Sequence, residues 1–363
     1  MVEPGGGISR VRQSSATATA PPPAAAKRRR DAMSAVIRSG SDARACMLLA
    51  GGSGRSRAAY STMGSSCVKT GHVHGPGGSM HQGAGEDINR GSLERLLAKV
   101  MSDRGLDLGQ FRARYVERRV NVRLNALGLT TYRQYAAYLD AHPEEYARLL
   151  DTLTINVTQF FRDPDVYQLF RDEVLPAVVS AKQQRKQRLL RIWSAGCATG
   201  QEPYSLAMSA LDAIERLDAG TMLPTVIGTD IDPVALATAK AGEYPAKEIA
   251  HIPEPDRTRY VEVDGDRMRM RQSVKDIVWF QYLNLFENPP IHGVDVVFCR
   301  NVFIYFNRSD QERLLNAFWE SLTRGGYLVL GRSERLTPQV SERFVLVDSR
   351  QRIYQKPRGL QYR

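Results

Sequence analysis

Short apolar segments alternate with longer amphipathic ones in the second half of the chain, and this pattern restricts the fold more than any other feature. The apolar segments cover residues 189–194, 225–229, 277–281, 294–299 and 327–330. Strands that are apolar throughout are buried on both faces, as in a parallel sheet covered by helices on both sides. The sequence therefore predicts an α/β domain over residues 189–357. Near its end, residues 344–347 and 352–355 flank a turn and predict an antiparallel hairpin.

A second pattern, with apolar residues spaced as on one face of a helix, precedes this domain. It begins with Leu93, Leu96, Leu97 and Val100. Further helices are predicted over residues 108–127 and 132–139 and from Pro143 onward, with Thr131 and Gln134 spaced as a capping box. The pattern predicts a small all-α domain over residues 88–165, joined to the α/β domain by a linker helix over 166–188.

Residues 1–87 are dominated by glycine, serine, alanine and proline. Such a segment buries too little apolar surface to fold, so we predict a disordered tail here and a second, short tail over 358–363. The first 88 residues carry +6 of the net charge of +11, so the total overstates how basic the folded part is. The tail histidines have no cysteine or acidic neighbours, and we expect them to be solvated and no metal site to form; they are His72, His74 and His81.

Two further features limit the class of protein. No run of apolar residues approaches the roughly 18 that a membrane-spanning helix needs, which excludes an integral membrane protein. The four cysteines share no CxxC spacing, which fits a reducing cytoplasm. Cys197 and Cys299 lie at strand-like segments and are expected to pack in the core.

A turn with two glycines follows the first predicted strand. Gly196 and Gly200 have G-x-x-x-G spacing, and not the G-x-G-x-x-G of dinucleotide sites, so a nicotinamide dinucleotide is disfavoured. Asp230 follows the next strand at the same edge of the sheet, where a carboxylate can accept hydrogen bonds from both hydroxyls of a ribose. Glycine turn and acid together favour a nucleoside cofactor, whereas the turn alone is equally compatible with a site that binds nothing.

Three segments resemble the signatures of one family, the chemotaxis receptor methyltransferases or CheR family. They are NVTQFFRD at 156–163, SAGCATGQEPYS at 194–205 and FCRNVFIYF at 298–306. The resemblance covers about residues 88–356. It implies a class I S-adenosylmethionine-dependent methyltransferase domain of Rossmann-like α/β fold, preceded by an all-α domain and carrying a small β subdomain at about 252–275.

The resemblance also implies an activity. Family members transfer a methyl group from S-adenosylmethionine to glutamate side chains on the cytoplasmic helices of chemoreceptors, giving γ-methyl esters and S-adenosylhomocysteine. It implies a monomeric protein-glutamate O-methyltransferase of chemotaxis adaptation that is cytoplasmic and recruited to receptor arrays. Neither membrane insertion nor nucleic-acid binding is expected.

Individual residues take roles by the same resemblance. Glu202 is assigned to the amino acid end of the cofactor, Asp230 to its ribose and Asn284 to the neighbourhood of its adenine. The full set assigned to the cofactor is Asn156, Thr158, Arg162, Gly196, Glu202, Asp230, Asn284, Leu285, Arg300 and Asn301.

Arg162 and Tyr305 are assigned to catalysis. A glutamate is already ionised at neutral pH, so the reaction needs alignment and not a general base. A guanidinium can hold one carboxylate oxygen while the other attacks, and Tyr305 would line the methyl group. The alternative leaves Arg162 as a surface partner of Asp163 or Asp165, and Tyr305 as a half-buried core residue.

The second predicted helix carries a basic stripe of Arg112, Arg119 and Arg123, which at about 100° per residue lie within roughly 40° of one another. A solvated helix face is one interpretation. The resemblance implies instead that the stripe docks the acidic receptor helix. On the same helix, Phe111, Tyr115 and Val122 are predicted to face the core.

Some features depart from the resemblance or favour other functions. Residues 259–271 predict a tight hairpin, shorter than the loop that binds a receptor tether in some family members, so tether binding is not expected. The pI of 9.6 raises methylation of nucleic acid or of another protein as an alternative, although no N/D-P-P-Y/F motif of base methylation is present. A non-catalytic receptor adaptor is a third possibility. Loss of Arg162, Asp230 or Tyr305 would favour an adaptor, and all three residues are present.

Overall fold

A computed structural model describes residues 82–104, 107–154, 156–287 and 291–359, with side chains from Gly91 onward. Residues 1–81 of the predicted N-terminal tail, including its three histidines, lie outside these residues, as do the last four residues of the chain. Residues 82–87 were predicted to be disordered, and this was wrong, because they form the start of the first helix. Within the part described, no helix is both long and apolar enough to cross a membrane. The same part of the chain holds no group of three or more histidine, cysteine or acidic residues placed to bind a metal ion.

Four helices form the first compact layer, as predicted. They are α1 (Gln82–Arg104), α2 (Ala113–Ala126), α3 (Tyr132–Ala141) and α4 (Glu145–Leu153). The capping box is confirmed, because the Thr131 hydroxyl accepts from the Gln134 N–H at 3.2 Å and the Gln134 side chain accepts from the Thr131 N–H at 3.0 Å. Pro143 lies just before the N-cap Glu144, and not at the first helical position.

The second helix is shorter than predicted. Residues Leu108–Gln110 form a separate 3₁₀ turn, which begins at the N-cap Asp107, whose carboxylate accepts from the Gly109 N–H at 2.9 Å. Phe111 then adopts an extended conformation and forms a β-bridge with Phe306 of the α/β domain. The core face of α2 is Val116, Val120 and Leu124, whereas Val122 is 47% exposed, so the prediction for Val122 was wrong.

Arg123 corrects the predicted basic stripe. Its Nε and Nη2 donate to the two carboxylate oxygens of Glu145 at 2.7 and 3.0 Å, and the Tyr135 hydroxyl donates to Oε1 at 3.1 Å. Glu145 is fully buried. A buried carboxylate requires such a partner, so Arg123 is held in the helical domain and is not free to dock a substrate.

We predict that Arg123→Ala lowers the free energy of unfolding by about 3 kcal/mol, because the buried Glu145 then keeps only the exposed Arg148, at 3.7 Å, as a cation. Urea unfolding followed by circular dichroism measures this change. Arg118→Ala, at an exposed position of the same helix, is the matched control and should stay within about 0.5 kcal/mol of wild type. An Arg123→Ala protein as stable as wild type would contradict the assigned role.

The α/β domain contains ten strands and eight helices in the described residues. The strands are β1 (Leu189–Ala195), β2 (Leu223–Asp230), β3 (Glu243–Pro245), β4 (Val261–Asp264), β5 (Arg267–Met270), β6 (Val278–Tyr282), β7 (Val294–Cys299), β8 (Leu322–Leu330), β9 (Val345–Asp348) and β10 (Ile353–Gln355). The helices are α5 (Pro164–Leu169), α6 (Leu175–Gln184), α7 (Gln201–Arg216), α8 (Pro233–Ala241), α9 (Glu254–Tyr260), α10 (Gln272–Lys275), α11 (Arg308–Ser321) and α12 (Pro338–Ser341).

Seven strands form one sheet in the order β6-β2-β1-β7-β8-β10-β9. The first five are parallel, and β10 is antiparallel to both of its neighbours. The parallel sheet, its five strands and the terminal hairpin agree with the sequence prediction, although β8 begins at Leu322, before the predicted start at residue 327. Apolar clusters fill both faces of the sheet.

The predicted linker helix is part of the α/β core. The turn Phe170–Val174 is π-helical and joins α5 to α6, so the segment is helical from Pro164 to Gln184. Phe170, Val174 and Val178 are buried in the cluster that also contains Ile192 of β1 and Val296 of β7. This segment therefore packs on the sheet in addition to connecting the two domains.

The inserted subdomain is a three-stranded antiparallel sheet in the order β3-β5-β4. It starts earlier than the predicted residue 252, because Glu243 of β3 pairs with Arg269 of β5. The tight hairpin predicted around Gly265 is present, with β4 and β5 paired up to Asp264 and Arg267. Gly265 has a φ of +58°, which glycine adopts without strain.

Candidate active site

A cavity of about 390 Å³ lies at the carboxyl ends of β1, β2, β6 and β7. It is centred on β1, where the strand order reverses and where open α/β sheets bind their ligands. Asp107, Gln110 and Phe111 of the helical domain close one side of it. Every residue assigned above to the cofactor or to catalysis lines this cavity: Asn156, Thr158, Arg162, Gly196, Glu202, Asp230, Asn284, Leu285, Arg300, Asn301 and Tyr305.

The glycine turn has no room for side chains at its two glycines. Gly196 has a φ of +78°, and a Cβ there would lie 2.6 Å from Cγ2 of Val302. Gly200 has a φ of +96°, and a Cβ there would lie 2.7 Å from Cβ of Ala239. The backbone N–H groups of Gly196 and Cys197 both donate to the Thr229 carbonyl, at 2.8 and 2.9 Å. The turn is therefore fixed against β2 and leaves bare backbone along the cavity.

Asp230 ends β2 beside this turn. Its Oδ2 accepts from the Ala198 N–H at 2.8 Å, and its Oδ1 accepts from the Asp232 N–H at 3.0 Å. Burial raises the pKa of the Asp230 carboxyl, while these backbone donors act in the opposite direction. Each oxygen retains a lone pair after these contacts, so the carboxylate can accept two further hydrogen bonds from a diol.

Glu202 lies on the first turn of α7. Its Oε1 accepts from the Ser194 hydroxyl at 2.7 Å, and its Oε2 lies 3.7 Å from Nη1 of Arg300. Burial raises the pKa of the Glu202 carboxyl, and the charge of Arg300 opposes this shift. An acidic group here suits the ammonium of an amino acid.

The opposite end of the cavity is largely apolar. Ile231, Leu283, Leu285 and Phe286 line it. Asn284 is held at this end, because its Oδ1 accepts from the Phe286 N–H at 3.1 Å and its Nδ2 donates to Glu287 at 3.2 Å. Apolar walls beside an amide are suited to a flat heteroaromatic base. Groups suited to an amino acid, a ribose and a base thus lie beside β1, β2 and β6, which are neighbours in that order in the sheet, and this arrangement fits S-adenosylmethionine.

Arg162 lies between two residues with left-handed backbone. Phe161 has a φ of +49° and Asp163 a φ of +57°, conformations that cost of order 1–3 kcal/mol each in residues with side chains. The Ser205 hydroxyl accepts from the Phe161 N–H at 3.0 Å, and Arg300 donates to the Arg162 carbonyl at 3.0 Å and to Asp163 at 2.5 Å. These contacts hold the backbone in the strained form.

The Arg162 side chain forms no ion pair among the described residues, although its charge opposes the raised pKa of the Glu202 carboxyl in the same cavity. Its Nη1 donates to the Val157 carbonyl at 3.1 Å, within the cavity. The alternative of a surface pair with Asp163 or Asp165 is wrong, because Arg300 and Arg332 pair with those acids. The guanidinium is therefore available to an anionic group in the cavity.

Tyr305 forms the cavity wall nearest the helical domain. Its ring lies 4.9 Å from that of Tyr115, and its carbonyl accepts from the Arg112 N–H at 2.8 Å. Burial raises the pKa of the Tyr305 hydroxyl, so it stays protonated and can donate. Asn156 lies on another wall, where its amide donates to Asp232 at 2.6 Å.

Sequence reasoning missed Glu334, which supports the loop that carries Tyr305. Its Oε2 accepts from the N–H groups of Asn301 and Gly331 at 3.0 and 2.6 Å, and its Oε1 accepts from Phe303 at 2.8 Å. The available signal was an acid shortly after the carboxyl end of β8. Asp232, which caps α8 and also holds Asn156, was missed as well.

The three docking arginines do not line the cavity. Arg112 is exposed and donates from Nε to the Phe306 carbonyl at 3.2 Å. Arg119 lies 5.5 Å from the ring centre of Tyr115. These two lie near Tyr305, and their docking role stays a prediction, whereas Arg123 is paired with Glu145 as described above. Cys197 and Cys299 are buried free thiols whose pKa values are raised by burial, in agreement with a packing role.

We predict that Asp230→Asn weakens binding of S-adenosylhomocysteine by about 10- to 100-fold, because charge-assisted hydrogen bonds to the ribose are lost. Calorimetric titration measures the affinity, with Asp264→Asn in the exposed hairpin as the control. Because the pKa of the Asp230 carboxyl is raised, this group takes up a proton at a higher pH than an ordinary aspartate does. The affinity of the wild-type protein for S-adenosylhomocysteine should therefore begin to fall at that higher pH as the pH is lowered. That pH dependence should be smaller in Asp230→Asn, and equal affinity of the two proteins would contradict the ribose assignment.

Comparisons with known proteins agree with this geometry. Residues 156–353 match the S-adenosylmethionine-binding domain of the CheR methyltransferases, and residues 91–154 match their all-alpha domain. The chain is 34% identical over 252 residues to a probable chemotaxis protein methyltransferase of Rhizobium etli, covering 68% of this chain and 92% of that protein. It is 29% identical over 255 residues to the chemotaxis protein methyltransferase of Borreliella burgdorferi, covering 69% of this chain and 90% of that protein.

A third relative is much longer. The chain is 35% identical over 240 residues to an uncharacterized 104.1 kDa protein of Rhodobacter capsulatus, a match that covers 66% of this chain and 25% of that protein. The two family matches together cover the helical domain, the sheet and the residues that line the cavity. The chain therefore belongs to the CheR methyltransferase family, and its cofactor is S-adenosylmethionine.

Proposed function

We propose that this methyltransferase esterifies the γ-carboxyl group of glutamate side chains on the cytoplasmic helices of chemoreceptors. The names of its relatives support methylation in chemotaxis. The observation that carries the finer proposal is the unpaired guanidinium of Arg162, which lies in the same cavity as the cofactor residues. A carboxylate is the acceptor that such a group would select.

The reaction requires the acceptor carboxylate and the methyl group to be aligned in a site from which water is excluded. Bound S-adenosylmethionine supplies a methyl group attached to a positively charged sulfur. The acceptor glutamate is ionised at neutral pH, so no residue of the cavity has to remove a proton. Arg162 donates to one oxygen of the acceptor carboxylate and leaves the other free to attack, which restricts its approach to one direction.

The backbone around Arg162 makes this alignment rigid. Phe161 and Asp163 are held on either side by Ser205 and Arg300. A residue fixed in this way loses little conformational entropy when the acceptor binds. Replacement of the guanidinium by a shorter or more flexible cation would therefore impair the reaction more than cofactor binding.

We propose that Tyr305 forms the wall of the cavity beside the reacting groups and shields them from water. It is half-buried against Tyr115, and Phe111 and Phe306 lie on the same side of the cavity. These rings exclude water from the acceptor carboxylate, which strengthens its electrostatic contact with Arg162. The protonated Tyr305 hydroxyl can also donate a hydrogen bond to the acceptor.

The proposal extends to partners and location. A glutamate-bearing receptor helix is acidic, and the exposed Arg112 and half-buried Arg119 lie at the Tyr305 side of the cavity. We propose that the enzyme acts as a monomer in the cytoplasm and is recruited to receptor arrays, with no nucleic-acid substrate. The short β4–β5 hairpin supports recruitment without a receptor tether.

The direct test uses methyl-labelled S-adenosylmethionine, the purified chain and membranes that contain methyl-accepting chemoreceptors. Carboxyl methyl esters hydrolyse in mild base, so the proposal predicts labelled methanol on alkaline treatment. Label that resists base would move the acceptor to another functional group. Cofactor binding without any transfer would favour a non-catalytic adaptor.

We predict that Arg162→Lys lowers the rate of ester formation by about 100-fold, because a point charge on a flexible stem does not fix the carboxylate as a guanidinium does. S-adenosylhomocysteine affinity, titrated on the same preparation, should change much less. Arg350→Lys, at an exposed position in the turn between β9 and β10, serves as the control. Unchanged turnover in Arg162→Lys would remove Arg162 from the mechanism.

A further inference from the structure

A second space of about 400 Å³ lies next to the active-site cavity. It is bounded by the turn Phe303–Tyr305, the first turn of α11 and the loop that leads into α12. We call it the arginine groove, after the three arginines that line it: Arg112, Arg308 and Arg335. Ile304 lines both spaces and is 38% exposed, so the groove and the cavity share one wall.

The arginines of the groove are not neutralised by its walls. Glu334 is the one acid among the described residues that line it. It is buried, and its carboxylate is occupied by the backbone N–H groups of Asn301, Phe303 and Gly331. The groove therefore carries three exposed cations against one buried anion whose acceptor capacity is used elsewhere.

The guanidinium groups also have few partners of their own. Arg335 is exposed and forms no ion pair or hydrogen bond within the described part of the chain. Arg308 is 3.8 Å from Glu312 on its own helix, with its side chain 70% exposed. Arg112 donates from Nε to the Phe306 carbonyl, which leaves both of its terminal nitrogens free. Such arginines favour an anionic ligand.

We propose that the arginine groove binds the acidic side chains that flank the target glutamate on the same receptor helix. This inference rests on the proposed function and adds a second point of contact for the substrate. A helix that lies across Ile304 presents one glutamate to Arg162 and the next acidic residues of the same face to the groove. Arg308 and Arg335 thereby join Arg112 in docking, whereas the sequence had suggested Arg119 and Arg123.

A protein segment fits the groove better than a nucleic acid. Phe303 is the aromatic residue that lines it among the described residues, and Phe303 is 2% exposed. The groove therefore offers no ring on which a base could stack. Its continuity with a cavity that selects a carboxylate also favours carboxylates as its ligands.

The test uses a fluorescein-labelled, alanine-rich helical peptide with glutamates at every third or fourth position, and a matched peptide with glutamines. Fluorescence anisotropy with the full chain measures binding. The double variant Arg308→Ala, Arg335→Ala should bind the glutamate peptide about fivefold or more weakly and with a smaller salt dependence. The control is Arg185→Ala, because Arg185 is exposed at the amino edge of the sheet, before β1.

Equal affinity of wild type and double variant for the glutamate peptide would overturn the proposal, as would equal binding of the glutamine peptide by wild type. A wild type that binds a single-stranded oligonucleotide more tightly than the peptide, with loss in the double variant, would reassign the groove to nucleic acid. Ester formation is measured separately on the same proteins. Groove-dependent peptide binding without ester formation would contradict the proposed function and leave the groove assignment intact.

Discussion

The buried guanidinium of Arg300 organises the site on which the rest of the account depends. It follows β7 and is 6% exposed, and it donates to the Arg162 carbonyl and to Asp163. Its Nη1 also lies 3.7 Å from Oε2 of Glu202 on α7. A buried cation is stable only with such partners, so the sheet, the connecting segment and the cofactor acid are fixed relative to one another by one side chain.

The helical domain completes the site through backbone contacts as well as side chains. Phe111 pairs with Phe306, and the Arg112 N–H donates to the Tyr305 carbonyl. The same residues bring Arg112 to the edge of the arginine groove. The cofactor cavity and the proposed acceptor and docking surfaces therefore meet at one junction, and a small displacement of α2 would alter all three.

Much of the fold could be predicted because it depends on local patterns. The apolar strands, the Thr131 capping box and the tight hairpin at Gly265 are each encoded within a few neighbouring residues. The break at Phe111 could not be predicted, since helical spacing continues through it and only the distant Phe306 makes an extended conformation favourable. Similarly, Arg123 resembled a surface arginine because its partner Glu145 belongs to another helix.

The candidate site followed a similar division. Asp230, Glu202 and Arg162 could be assigned to the site because a strand end and the family motifs mark them, and all three line the cavity, while their individual roles stay predictions. Glu334 was not predicted, because its carboxylate accepts hydrogen bonds from backbone N–H groups of a loop, and no sequence pattern indicates such contacts. The arginine groove also depends on tertiary structure, because Arg112, Arg308 and Arg335 come from three separate elements.

We propose that the groups of this cavity direct methyl transfer to a glutamate carboxylate. Its most direct test is tandem mass spectrometry of a purified receptor cytoplasmic fragment after incubation with the enzyme and S-adenosylmethionine carrying a deuterated methyl group. We expect deuterated methyl esters on glutamate side chains of the helical region, and none when those glutamates are replaced by alanine. Label on lysine, cysteine or any other residue type, or an unmodified fragment in the presence of bound cofactor, would contradict it.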